Sequence, residues 1–231
     1  MKAYVLFFIG FFLVSCGSQK ASLEEIQQSE PVKLYLSMHD YTNHNAYPKP
    51  TNALFRQKSN QHLIIKKVID PKTGLIDKKW KTAWGLSYNG HTYVNLRYSI
   101  DAYHPNTFAK LDIEGRYGAV LIDNKKSPRV LNSNEIYYGG GLAGALISES
   151  AKWGKNWKDE KGNKKKILFV DTYMNPSAAK RSIGNQINYL TRRQLKKLIE
   201  LNYIPIDTKH IKDLKFEEVV SIIKQLNQKS L

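Results

Sequence analysis

The chain has one cysteine, Cys16, in 231 residues, so no intramolecular disulfide can form. A fold without crosslinks depends on its core, and 14 Tyr, 8 Phe and 4 Trp can supply one. Acids are scarce as well: 20 Asp and Glu stand against 36 Lys and Arg, a formal net charge of +16. Such a balance suits nucleic acid, an anionic membrane or a solvated basic surface. Apart from Lys164-Lys165-Lys166 and the pairs Lys66-Lys67, Lys78-Lys79 and Lys196-Lys197, the lysines are scattered. A basic surface held near anionic lipid or glycan is therefore expected, and nucleic acid is not. G-x-S-x-G, H-E-x-x-H and Walker patterns are all absent, as is any repeat of solenoid length. The apolar run from Ala3 to Val14 is too short to span a bilayer.

That run follows Lys2 and ends at Ser15, the layout of a secretory signal peptide over residues 1–15. Leu13-Val14-Ser15-Cys16 resembles the bacterial lipobox, leucine and small residues before an obligate cysteine. The resemblance implies acylation of the Cys16 thiol and cleavage just before it. An ordinary signal peptide with a chance cysteine is the alternative. Residues 16–31 are polar and without periodicity, so they are expected to form the lipid anchor and a flexible tether.

Residues 32–231 read as a single α+β domain, β-rich over 32–138 and α-rich over 139–231. An antiparallel sheet in the first half is expected, with C-terminal helices packed on it. The β-rich part comprises VKLYL, HLIIKKVI, TAWGLSY, HTYVNLRYSI, FAKLDIEG and RYGAVLI, broken by turn signals. Asn89-Gly90 predicts a two-residue I′ hairpin, since both residues tolerate positive φ. Alternation then puts Trp84, Leu86 and Tyr88 on one face and Tyr93 on another. Ser37 is placed to cap a short turn to Asn43, with Asp40 at its third position. In the second half a helix is expected at Leu142 to Trp153, and ILFVDTY (167–173) reads as a strand after a Gly162-Asn163 turn. Thr191 caps RRQLKKLIEL, and Phe216 to Leu226 repeats an amphipathic pattern.

Few residues carry a chemical signature. Gly139 to Gly144 fits G-x-G-x-x-G, but LNSNEIYY before it lacks a buried apolar run and Asp171 lies too far on for a ribose contact. No cofactor is expected. His39 and His44 flank Asp40 at i, i+5 rather than the i, i+4 of metal-binding helices, so no metal is expected either. Asp112, Glu114 and Arg116 alternate on an expected strand; paired carboxylates can do acid–base work, and they can equally form a solvated, charge-compensated face.

LYLSMHDYTN, the hairpin from Trp84-Gly85 through Gly90 to Tyr93-Val94-Asn95, the strand Ile113 to Tyr117 and the glycines 139–144 together resemble a Bacteroidota family of lipoproteins and secreted proteins of unknown function. The likeness covers about residues 33–146 and implies a Gram-negative envelope home. It lends no catalytic residues. Gly17 after the lipid cysteine, in place of an inner-membrane retention aspartate, favours the outer membrane, facing the periplasm or the surface.

The expectation is an outer-membrane lipoprotein and a non-catalytic binding or interaction module. Its candidate ligand surface is Tyr88, Tyr93, Tyr98 and Tyr103, and the partner an anionic glycan, a lipid or an envelope protein. The alternative is an envelope hydrolase acting on glycan through Asp112 or Glu114.

Overall fold

Val32 and Leu34 point inward from a short strand while Lys33 between them is exposed, the two-residue alternation of a half-buried sheet. In the computed structural model, which describes residues 19–99, 106–123, 156–172 and 186–229, this strand is β1 (Glu30–Tyr35). With β2 (Thr51–Lys58), β3 (His62–Ile69), β5 (Gly85–Tyr88), β6 (His91–Asn95) and β7 (Thr107–Lys110) it forms an antiparallel sheet in the order β2-β1-β5-β6-β7-β3. Pairing of β2 with β3 closes it into a six-stranded barrel, and β4 (Ile76–Asp77) pairs with the far end of β3. Register shifts at Leu54/Phe55 and Phe55/Gln57 give β2 the bend that closure requires.

So narrow a barrel is filled by its own side chains. Leu34, Leu63, Ile65, Leu86, Tyr88, Tyr93 and Phe108 share one buried cluster, with Trp80 and Ala83 contributed by the segment between β4 and β5. Fully burying a side chain of this kind contributes roughly 1.5–3 kcal/mol. The Asn89-Gly90 turn forms as expected, with φ of 48° and 74°, between the paired residues Tyr88 and His91. The expected faces need correction. Leu86 pairs directly with Tyr93, and opposed residues of an antiparallel pair share a face, so Tyr93 lies inside with Leu86 and Tyr88. Trp84, just before β5, packs outside the barrel.

A second antiparallel sheet pairs β8 (Tyr117–Asp123) with β10 (Lys164–Asp171), which also pairs with β9 (Trp157–Lys158) and β11 (Asn188–Tyr189). The β9–β10 turn holds Gly162 at φ 79°. One face of this sheet (Val120, Ile122, Leu168 and Val170) packs with Trp84, Val94, Leu96 and Ala109 on the outside of the barrel. The other face (Tyr117, Ala119, Ile167 and Phe169) takes the helices. The expected antiparallel pairing and helices are present as a mixed α+β fold, but two sheets stand where one was expected and the arrangement differs. The C-terminal helices lie on the second sheet rather than on the first-half sheet, because that first sheet spends its apolar face on the barrel interior. The β8–β10 pairing also runs across the expected 138/139 division into β-rich and α-rich parts.

The helices follow their local signals. Ser37 and Asp40 form a capping box for α2 (Met38–Thr42), and Thr191 and Gln194 do so for α3 (Arg192–Leu201). Val219, Ile222, Ile223 and Leu226 are the buried stripe of α4 (Phe216–Lys229).

Residues 19–31 are not the tether expected of them. Ala21 N–H donates to Gly74 (2.9 Å) and Ile76 N–H to Gln19 (3.0 Å), and Lys20 bridges Leu75. Ser22 and Glu25 then box the start of α1 (Leu23–Gln27). These are long-range backbone pairings that a polar composition does not disclose. The expected helix at Leu142 to Trp153 and the glycines 139–144 lie outside the described residues.

Candidate binding site at the barrel mouth

At one end of the barrel β2 ends at Lys58, β3 starts after a turn through Ser59 and Asn60, β5 and β6 meet at Asn89-Gly90, and β7 ends at Lys110. These elements surround a cavity of about 530 Å³ lined by Lys58, Ser59, Leu63, Tyr88, His91, Tyr93 and Lys110, among others. That volume lies within the roughly 300–1,000 Å³ usual for small-ligand sites. The opposite end is closed, with Trp80 2% exposed in the same core.

The floor is aromatic. The Tyr88 and Tyr93 ring centroids lie 6.4 Å apart, and Phe55 lies 4.9 Å from Tyr88. Burial raises the pKa of both tyrosines, so both stay neutral near pH 7. The Tyr88 hydroxyl donates to the Glu30 carboxylate, which also pairs with Lys58. Burial alone would push Glu30 upward, but the Lys58 ammonium and the Tyr88 hydroxyl outweigh it and hold the carboxyl below its ordinary value. The same contact with Glu30 raises Lys58. One rim lysine is thus matched by an acid. Lys110 Nζ lies 3.4 Å from His91 Nε2, which accepts in the tautomer that carries its proton on Nδ1.

Ser59 and His62 also meet at this rim, Oγ to Nδ1 at 2.7 Å. Burial lowers the His62 pKa and favours the neutral ring. Ser59 Oγ accepts from the N–H groups of His62 (3.0 Å) and Gln61 (3.3 Å). That is a turn lock, and it occupies the lone pairs a nucleophile would need.

The four tyrosines of the expected ligand surface do not form one face. Tyr88 and Tyr93 converge on the mouth. Tyr98 follows β6 in a tight 3-10 turn, where Asn95 accepts from Arg97 N–H, and its hydroxyl donates to Thr82. With Leu36, Met38 and Trp84 it lines a separate hollow of about 260 Å³. Tyr103 and Cys16 lie outside the described residues.

The carboxylates of the alternative reading sit in a turn, not on a strand: β7 stops at Lys110 and Gly115 adopts φ 127°. Asp112 Oδ2 accepts from Leu121 N–H at 2.7 Å, and Glu114 Oε1 from Thr92 N–H at 3.0 Å. Asp112 as a residue is exposed, yet apolar surroundings crowd its carboxyl and raise its pKa, with Lys110 pulling the other way. Burial and the Glu114 charge push Tyr41 up to about 12, and its ring stacks on Trp84 at 4.9 Å.

Sequence reasoning singled out the two floor tyrosines and missed Lys58, His91 and Lys110. The one available signal was their place at the ends of strands facing common turns. Comparison with protein-family models, with curated proteins and with solved structures finds no match for this chain, so the reading of the site rests on its own geometry.

Proposed function

We propose that the protein is an outer-membrane lipoprotein, acylated at Cys16, whose barrel is a binding module for an anionic saccharide rather than an enzyme. The observation that carries the ligand class is the mouth: a tyrosine floor beneath a rim of Lys58, His91 and Lys110. Aromatic faces suit the apolar faces of sugars, and the Lys110 ammonium suits a carboxylate or phosphate on them, whereas the Lys58 ammonium is already matched by Glu30. An acyl chain fits less well, because Leu86 and Phe108 fill the barrel below the floor. The envelope home rests on the lipobox resemblance and on Gly17.

Titration with a glucuronate-containing disaccharide, followed by backbone amide shifts, tests the ligand class. Shifts are expected at residues 58–63, 88–93 and 110, and Lys110→Glu is expected to weaken binding about tenfold or more, roughly 1.4 kcal/mol. Equal shifts at scattered surface lysines, or equal binding of the neutral disaccharide, would overturn the reading. For the anchor, Cys16→Ser is expected to move the protein out of carbonate-washed membranes; retention there would count against acylation.

A glycan hydrolase is the second reading. The Asp112 carboxyl favours it, since burial raises its pKa, the direction in which a general acid is tuned. The commitment of both carboxylates to backbone N–H groups weighs against it. Asp112→Ala and Glu114→Ala are expected to lower stability and leave saccharide binding intact. Turnover of a glycan that either substitution abolishes in a still-folded protein would reinstate the enzyme.

A further inference from the structure

We infer that the closed end of the barrel, with α1 beside it, rests on anionic phospholipid headgroups, and that the mouth opens away from the bilayer. The inference builds on the acylation of Cys16 proposed above and adds the face presented to the membrane.

Three observations carry it. First, the N-terminal segment is fastened at the end of the barrel remote from the mouth. Gln19, Lys20 and Ala21 pair with residues 74–76, which follow directly from the Ile69 end of β3, whereas the mouth residue Leu63 is at the other end of that strand. Leu63 to Ile69 spans about 20 Å at about 3.3 Å per residue. A strand tilt of 35–45° leaves roughly 15 Å of that as height along the barrel axis.

Second, the leash is short. Only Gly17 and Ser18 separate Cys16 from Gln19, so the acylated residue lies within about 11 Å of Gln19, three Cα steps at 3.8 Å. A flexible tether through residue 31 would have left the orientation free; the docked segment removes that freedom. Third, the surface beside the leash suits headgroups. Leu23 is 80% exposed, an apolar side chain in the first turn of α1; Lys20, three residues before it, and Lys72, two residues before the Gly74 carbonyl that receives Ala21 N–H, are exposed as well. Of the two acids on α1, Glu25 is taken up by Lys67 at 2.6 Å, leaving Glu24 as the opposing charge on that helix. An exposed leucine beside lysines combines shallow insertion with attraction to anionic lipid.

The test uses the mature acylated protein in vesicles of phosphatidylethanolamine with a minor share of phosphatidylglycerol. An environment-sensitive fluorophore is placed singly at Leu23→Cys, Lys72→Cys and Asn60→Cys, and the intact mass records the acyl groups on Cys16. Emission at positions 23 and 72 is expected to shift to the blue and to be quenched by lipid-borne quencher, with position 60 at the mouth unchanged. A shift at position 60, or at none of the three, on protein whose mass shows acylation overturns the orientation and leaves the lipoprotein reading standing. A mass without acyl groups removes the lipoprotein reading, and the orientation with it.

Discussion

The Tyr88 hydroxyl donates to the Glu30 carboxylate at the barrel mouth, joining the end of β5 to the start of its neighbour β1. Lys58, at the end of β2, meets the same carboxylate. One acid therefore ties three strands together at the rim of the candidate site. Because its folded pKa lies below the ordinary 4.5, the stability it contributes is complete above that value and disappears as pH falls through the lower, folded one. Glu30→Gln is expected to lower Tm near neutral pH, and the gap from the parent protein should close progressively as pH falls below 4.5. Thermal melts across that range test it; a gap independent of pH would mean that the ionised carboxylate is not what matters.

Gly85 is the close-approach point between β5 and β6. A Cβ there would stand 2.8 Å from the Tyr93 carbonyl oxygen, and backbone cannot swing away as a side chain can. Gly85→Ala is expected to cost about 1–3 kcal/mol and to shift Tyr93 in the mouth. Urea unfolding reads the first effect and Tyr93 ring resonances the second. An unchanged midpoint would show that the two strands separate readily.

Trp157 and Trp84 make a matched pair for weighing buried hydrogen bonds. Both are almost fully buried, but Trp157 Nε1 donates to Leu190 at 3.1 Å, whereas Trp84 Nε1 has no partner among the described residues. Replacing each with Phe removes similar volume. Trp157→Phe also strands the Leu190 carbonyl, so it is expected to be costlier by about 1–2 kcal/mol. Equal costs in chemical denaturation would assign the whole effect to packing.

Asn227 of α4 completes the edge of the second sheet. Its Oδ1 accepts from Tyr117 N–H at 2.8 Å and its Nδ2 donates to Tyr117 C=O at 3.0 Å, the exchange a neighbouring strand would provide. Asn227→Leu is expected to destabilise the fold by about 1–3 kcal/mol, because two backbone groups lose their partner. Hydrogen exchange at the Tyr117 amide should accelerate accordingly; unchanged exchange would show that the amide is protected by something else.

Elements set by short-range chemistry were legible in the chain. Ser37 with Asp40, and Thr191 with Gln194, each close a loop of three residues whatever the rest of the molecule does. Asn89-Gly90 accepts the φ values its turn demands for the same reason. The expected strand through Asp112, Glu114 and Arg116 failed where a distant partner decides. Asn227, 113 residues from Glu114, holds that segment as a turn together with Leu121 N–H of the following strand.

The sequence by itself determined the caps, the hairpin, the α+β composition and the net positive charge, because each depends on neighbouring residues or on composition alone. Only the tertiary structure decided that β2 closes on β3, that the helices cover the second sheet, and that Gln19 to Ala21 dock at the closed end. It also brought Lys58, His91 and Lys110 to one rim. Each of these outcomes joins segments far apart in the chain, and their selection lies in how complementary apolar faces bury one another, a property of pairs of surfaces that no single stretch of sequence carries.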